Sequence, residues 1–250
     1  MSTILATLIF FTRLPFWRIK EVDASHFKHV VPYWPLAGWL TGGIMVGVLW
    51  FSSQVLPLSV AWIIAIVSRL LVTGCLHEDG LADFCDGMGG GVNRERVLAI
   101  MKDSHIGTYG VIGLIVYFVL LTQMSLLPVE LLCGIVFAGD AWSKFVSSHI
   151  INLLPYARKE EEAKNKTVYQ RMTVLEAFIG AILGCLPFCL FLPKLYWPAL
   201  GAPVVVFILL TWLMKRRIKG YTGDCCGALF LISELAYLLT CLAIKGISPV

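Results

Sequence analysis

The chain has 250 residues, of which 58% are hydrophobic and only 14% charged, with a formal net charge of +4 and a mean hydropathy of +0.80. That balance lies far from a soluble domain and reads as an all-α integral membrane protein, a polytopic helical bundle with short interfacial helices added. It also argues against nucleic acid as a partner, because no long basic stripe stands apart from the short connections between apolar runs.

The first residues, "MSTILATLIFF", are apolar but meet Arg13 after about ten positions and lack a basic leader. They are too short to span a bilayer and predict an interfacial or re-entrant helix. Seven longer apolar runs follow, at about 36–56, 59–76, 110–127, 129–153, 174–193, 197–214 and 227–245, each near the roughly 20 residues that a spanning helix needs. Threaded in order, they place 16 of the 20 Lys and Arg residues on one face, in the N-terminal segment and the links 77–109, 154–173 and 215–226. The positive-inside bias makes that face cytoplasmic. One domain, 1–250, is expected, with those three links converging on a site between the helices. The eight cysteines are scattered without a CxxC pair and read as apolar packing residues of a reduced protein.

The link after the second run opens with "HEDGLADFCDGMGGG". At 100° per residue, Asp79, Asp83 and Asp86 fall within about 60° of one another on a helix. Three carboxylates on one face repel and call for a cation among them, and hard oxygen ligands favour Mg²⁺ completed by substrate phosphates and water. The patch therefore reads as a metal-diphosphate grip, against the plainer alternative of a solvated, acidic helix start. His77 points about 160° from Asp79 and joins the carboxylates only if the helix begins after it; its two readings are general base and capping residue. "GMGGG" then ends the helix.

In "NRERVLAIMKDSHIGTYG", Val97, Ile100 and Met101 form an apolar stripe opposite Arg94, Arg96, Lys102 and Asp103. This predicts a short amphipathic helix at the membrane surface whose cations neutralise a diphosphate or hold lipid headgroups. Asp140 and Lys144 have the spacing of an intrahelical ion pair. The run "KEEEAKNK" at 159–166 reads as a solvated face. Asp224, in "GYTGD", stands at the start of the last span as a phosphate-site residue or an N-cap. Glu234, inside that span, needs a partner such as Arg69 or Lys144.

Taken together, "HEDGLADFCDG", "RERVLAIMKDSHIGTYG", "PYARKE", "GYTGDCCGALFLISEL" and the opening "FFTRLPF" resemble the cobalamin synthase family over essentially the whole chain. The resemblance implies a Mg²⁺-dependent membrane transferase that joins adenosylcobinamide-GDP to α-ribazole or its 5′-phosphate and releases GMP, in the inner membrane of a prokaryote with the site facing the cytoplasm. On that basis Asp79, Asp83 and His77 are the catalytic candidates and Asp79, Asp83 and Asp86 the metal ligands. Arg94, Arg96, Lys102, Asp103 and Asp224 are the candidate substrate-binding residues. The lipid bilayer is a partner, and self-association as a homo-oligomer is left open. Two rival readings stand beside it. A CDP-alcohol phosphotransferase would need a second aspartate pair, which the sequence lacks. A transporter would use Arg69, Asp140, Lys144 and Glu234, but no internal repeat supports it.

Overall fold

A computed structural model describes residues 2–158 and 168–247, so the whole "KEEEAKNK" run lies outside the described residues. The helices are α1 (Ser2–Phe11), α2 (Trp34–Ser53), α3 (Leu58–Thr73), α4 (Leu76–Gly90), α5 (Arg94–Ile100), α6 (Thr108–Thr122), α7 (Val129–Ser148), α8 (Ile150–Leu153), α9 (Val174–Phe191), α10 (Gly201–Arg217) and α11 (Gly223–Ile247). Among the described residues there is no sheet, only an isolated bridge between Tyr156 and Tyr221.

Among the described residues, five helical segments are long and apolar enough to cross a membrane, and six if the bent pair α3–α4 counts as one span. The expected seventh, α7, has the length but carries Glu130, Asp140 and Lys144 and is less apolar. It tolerates those charges because it is the central helix, packed against α2, α9 and α11. Outward-facing Ile63, Val67, Ile115, Val119, Phe178, Ile182, Ile208 and Leu209 are exposed, as a lipid-facing belt requires.

Inside the bundle, polar groups find one another. Arg69 on α3 donates from Nη1 to both Glu234 oxygens, at 2.8 and 2.6 Å, and from Nη2 to the Tyr117 hydroxyl at 2.7 Å. Lys144 pairs with Asp140 and donates to Thr41 Oγ1, which in turn donates to Asp140. Of the two partners the sequence offered for Glu234, Arg69 is the one bonded to it. Backbone gaps are closed in the same way. Pro187 has no N–H for the carbonyl of Leu183 one turn earlier, and Trp39 Nε1 on α2 donates to that oxygen instead at 2.7 Å.

The apolar run 59–76 does not continue straight into the acidic stretch. Gly74 (φ +65°) and Cys75 (φ +58°) both adopt the left-handed conformation, and α4 leaves α3 at 89°. The chain breaks there because two successive left-handed residues cannot extend a right-handed helix. After the break α4 packs chiefly on α11 and α6.

Candidate active site

The first turns of α4 and α11 lie against each other with almost no side chain between them. A Cβ added at Gly80 would stand 3.0 Å from the Asp224 carbonyl oxygen, and one at Gly227 would stand 3.0 Å from that of His77. Glycine at both positions is what lets the two N-termini approach so closely. Thr222 caps α11, accepting from Cys225 N at 3.3 Å, so Asp224 is not the cap but a first-turn residue.

At this crossing is a cavity of about 170 Å³. From α4 it is lined by Leu76, His77, Asp79 and Gly80, and from α11 by Gly223, Asp224, Cys226 and Gly227. Tyr156, Arg158, Tyr169, Phe10, Phe11, Val31 and Trp34 complete the lining, with the Phe10 and Tyr169 rings edge to face at 5.9 Å. Arg158 Nη2 lies 3.7 Å from Asp224 Oδ2 and donates to the Leu98 carbonyl at 3.1 Å. Part of that lining is an aromatic stack: Phe11 lies over Trp34 with centroids 5.1 Å apart, and Trp34 lies 5.6 Å from the His77 ring. Burial raises the phenol pKa of Tyr156, Tyr169 and Tyr221 around this site, keeping them neutral.

Helix α4 begins at Leu76, so His77 is inside it and, on helical angles, opposite Asp79. Both line the cavity nonetheless. The reason is that the cavity sits at the helix end, where first-turn residues of either face reach it. His77 is 3% exposed, and its Nε2 has no hydrogen-bond partner among the described residues.

The three aspartates separate. Seven residues carry Asp86 about 10 Å along the axis from Asp79. There its carboxylate accepts from Gly107 N at 2.7 Å and Gly110 N at 2.8 Å, capping α6. Asp83 is half-buried and stands outside the cavity lining. Among the described residues no group of three or more His, Cys, Asp or Glu side chains could hold a metal ion. A three-carboxylate cage is therefore not what the fold builds. Asp79 and Asp224, one from each helix, do fit Mg²⁺ of the kind held by one or two carboxylates and completed by substrate phosphate and water.

The cations divide as well. Arg94 donates from Nε to the Ile218 carbonyl and from Nη2 to that of Ala157, bracing α5 against the chain at both points. With Lys102 and Arg158 it also lines a shallow second cavity adjoining the first at Arg158. Arg96 and Lys102 are exposed. Asp103 is exposed too, and hydrogen bonds from the His105 ring and backbone hold its carboxyl below the usual range. The stripe Val97 and Met101 is fully buried, so α5 is anchored on the protein itself.

Arg158, Tyr156 and Tyr169 were not singled out by the sequence reading. Arg158 precedes a run of alternating charge that reads as solvent-facing; its signal was the quoted "PYARKE" motif.

Residues 3–242 match the sequence model of the family described as cobalamin-5-phosphate synthase. Proteins named adenosylcobinamide-GDP ribazoletransferase are similar along nearly their whole length. That of Leptothrix cholodnii is 39% identical over 94% of this chain and 93% of its own. The Shewanella woodyi protein is 38% identical over 92% and 91%, and the Leptospira interrogans protein 32% over 94% and 92%. No solved structure matches the chain.

Proposed function

The chain belongs to the cobalamin-5-phosphate synthase family, and on that premise we propose that the cavity between α4 and α11 joins adenosylcobinamide-GDP to α-ribazole or its 5′-phosphate, releasing GMP. The activity is that of an adenosylcobinamide-GDP ribazoletransferase, a late step of cobalamin biosynthesis carried out by a membrane protein.

One observation carries the placement: two helix N-termini and Arg158 meet at a single cavity. Each N-terminus brings the positive end of a helix dipole, and together with a guanidinium they favour a diphosphate. In the reaction the ribose hydroxyl oxygen forms a bond to the phosphorus attached to cobinamide. The bond from that phosphorus to the bridging oxygen breaks, and GMP leaves with the electron pair. His77, a residue of the cavity lining whose Nε2 has no partner among the described residues, takes the hydroxyl proton. Arg158 and the two N-termini stabilise the charge that grows on the departing phosphate. Mg²⁺ held by Asp79 and Asp224, with Asp83 one turn behind, would add charge neutralisation at the diphosphate.

The basic residues Arg94, Arg158 and Arg217 bind backbone carbonyls of neighbouring segments at the same end of the bundle as the cavity. By the positive-inside bias we infer that this end faces the cytoplasm of a prokaryotic inner membrane.

The test is GMP release by purified protein in lipid, with adenosylcobinamide-GDP and α-ribazole, in Mg²⁺ or EDTA. Wild type should turn over only with metal, and folded Asp79→Asn, Asp224→Asn and Arg158→Ala should each lose about 10²–10³-fold. Full activity in Asp79→Asn and Asp224→Asn together would move the site elsewhere.

A further inference from the structure

Eight tryptophans occur in the chain. Trp39, Trp62, Trp142 and Trp197 each donate their indole N–H to a backbone carbonyl, at 2.7, 2.8, 2.9 and 3.3 Å. Trp34 is 1% exposed, yet its Nε1 has no partner among the described residues. A buried donor left unpaired is costly, by about 1–3 kcal/mol, and buried indole N–H groups are regularly satisfied. Trp34 belongs to the lining of the cavity and stacks beside His77, another lining residue, whose Nε2 is equally unpartnered among the described residues. The cavity thus has an ionic side, with Arg158, Asp79 and Asp224, and an aromatic side carrying two unused nitrogens.

We infer that the aromatic side, Phe11, Trp34 and His77, is the seat of the planar base of the incoming nucleoside, and that Trp34 Nε1–H donates to an in-plane ring nitrogen of that base. The inference rests on the transferase reading above and assigns its two substrates to different parts of the site. A base lodged against Trp34 places its ribose toward His77 and the ionic side, where the hydroxyl must react. The cavity, at about 170 Å³, takes a group of that size and not a corrin macrocycle, which stays outside with its diphosphate reaching in. Trp34 is then a specificity-determining residue: it favours bases with a ring nitrogen acceptor over those with carbon at the same place.

The experiment has two arms. In the first, binding of α-ribazole to the detergent-solubilised protein is measured by calorimetry for wild type and Trp34→Phe, and KM for each substrate is measured by GMP release. Trp34→Phe should weaken α-ribazole binding and raise its KM roughly five- to tenfold, the scale of one neutral hydrogen bond, with KM for adenosylcobinamide-GDP within twofold of wild type. In the second, wild type is given the analogue in which carbon replaces the ring nitrogen not attached to ribose. It should lose the same factor, and Trp34→Phe should lose nothing further. The wild-type comparison of the two ligands needs no variant to fold. Equal binding of α-ribazole and its analogue by wild type would overturn the proposal, as would a KM rise confined to adenosylcobinamide-GDP. A wild type that binds α-ribazole with this discrimination but releases no GMP would uphold the base site and sink the transferase reading.

Discussion

Glu234 sits inside α11, within an apolar span, and its bonding to Arg69, which also holds the Tyr117 hydroxyl, gives a quantitative expectation. Both members of the pair are 2–3% exposed, so neither charge is solvated by water. Glu234→Leu removes the acceptor of two hydrogen bonds and leaves the Arg69 guanidinium buried, holding only the Tyr117 hydroxyl. Breaking a buried pair from one side costs about 3–5 kcal/mol. The lower half of that range is expected here, because segments unfolded within lipid also find partners. Replacing the whole group by shape-matched apolar residues removes the stranded charge. The triple variant Arg69→Met, Tyr117→Phe, Glu234→Leu should therefore lie within about 2 kcal/mol of wild type. The assay is reversible unfolding in mixed micelles of rising SDS content, followed by tryptophan fluorescence, with GMP release measured on the folded fraction. None of the three residues lines the cavity, so the folded triple variant should turn over. A loss below about 1 kcal/mol in Glu234→Leu would refute the argument for the pair. A folded but inactive triple variant would refute its purely structural role.

Asp86→Ala should lower stability by about 1–2 kcal/mol through loss of the α6 cap, with turnover per folded molecule within threefold of wild type. A collapse equal to that of Asp79→Asn in folded protein would return Asp86 to the metal site. Gly80→Ala puts a Cβ against the Asp224 backbone, which cannot yield as a side chain would; a loss of about 1–3 kcal/mol in thermal unfolding and at least tenfold in turnover is expected. Unchanged turnover would mean that the α4–α11 spacing does not set the chemistry. Because the folded-state pKa of Tyr156, Tyr169 and Tyr221 is raised above the ordinary 10.0, the stability they contribute is intact below pH 10 and is lost as pH climbs past it toward their folded values. Absorbance at 295 nm should show no tyrosinate difference between wild type and Tyr221→Phe until unfolding, and a Tyr221 signal titrating near pH 10 in folded protein would contradict this.

Hydropathy made the membrane class legible, and the density of carboxylates after residue 76 marked the site region. Four things were hidden for physical reasons. The break at Gly74–Cys75 lies inside a continuous apolar run, and a left-handed cysteine has no compositional signature. Helical angles correctly put Asp79, Asp83 and Asp86 on one face but say nothing of distance along the axis, which is what gives Asp86 to α6 and Asp79 to the cavity. Angles also set His77 against Asp79, a conclusion valid along a helix and void at its end. The count of seven spans treated hydropathy as a test of position, whereas α7 shows that the innermost helix can be the less apolar one when its charges are met by neighbours.

The right-angled break between α3 and α4 also bears on biogenesis. As the chain leaves the ribosome, α3 is apolar enough to partition into lipid, but the segment after the break, with Glu78, Asp79, Asp83 and Asp86, is not. Turning at Gly74 takes α4 off the line of α3 instead of carrying the acidic segment straight on. Its principal packing partner, α11, is synthesised much later than α4. The crossing therefore closes only once α11 has been made, so a nascent chain without it carries its carboxylates with no closed site, and a chain truncated before Gly223 would insert but never assemble one.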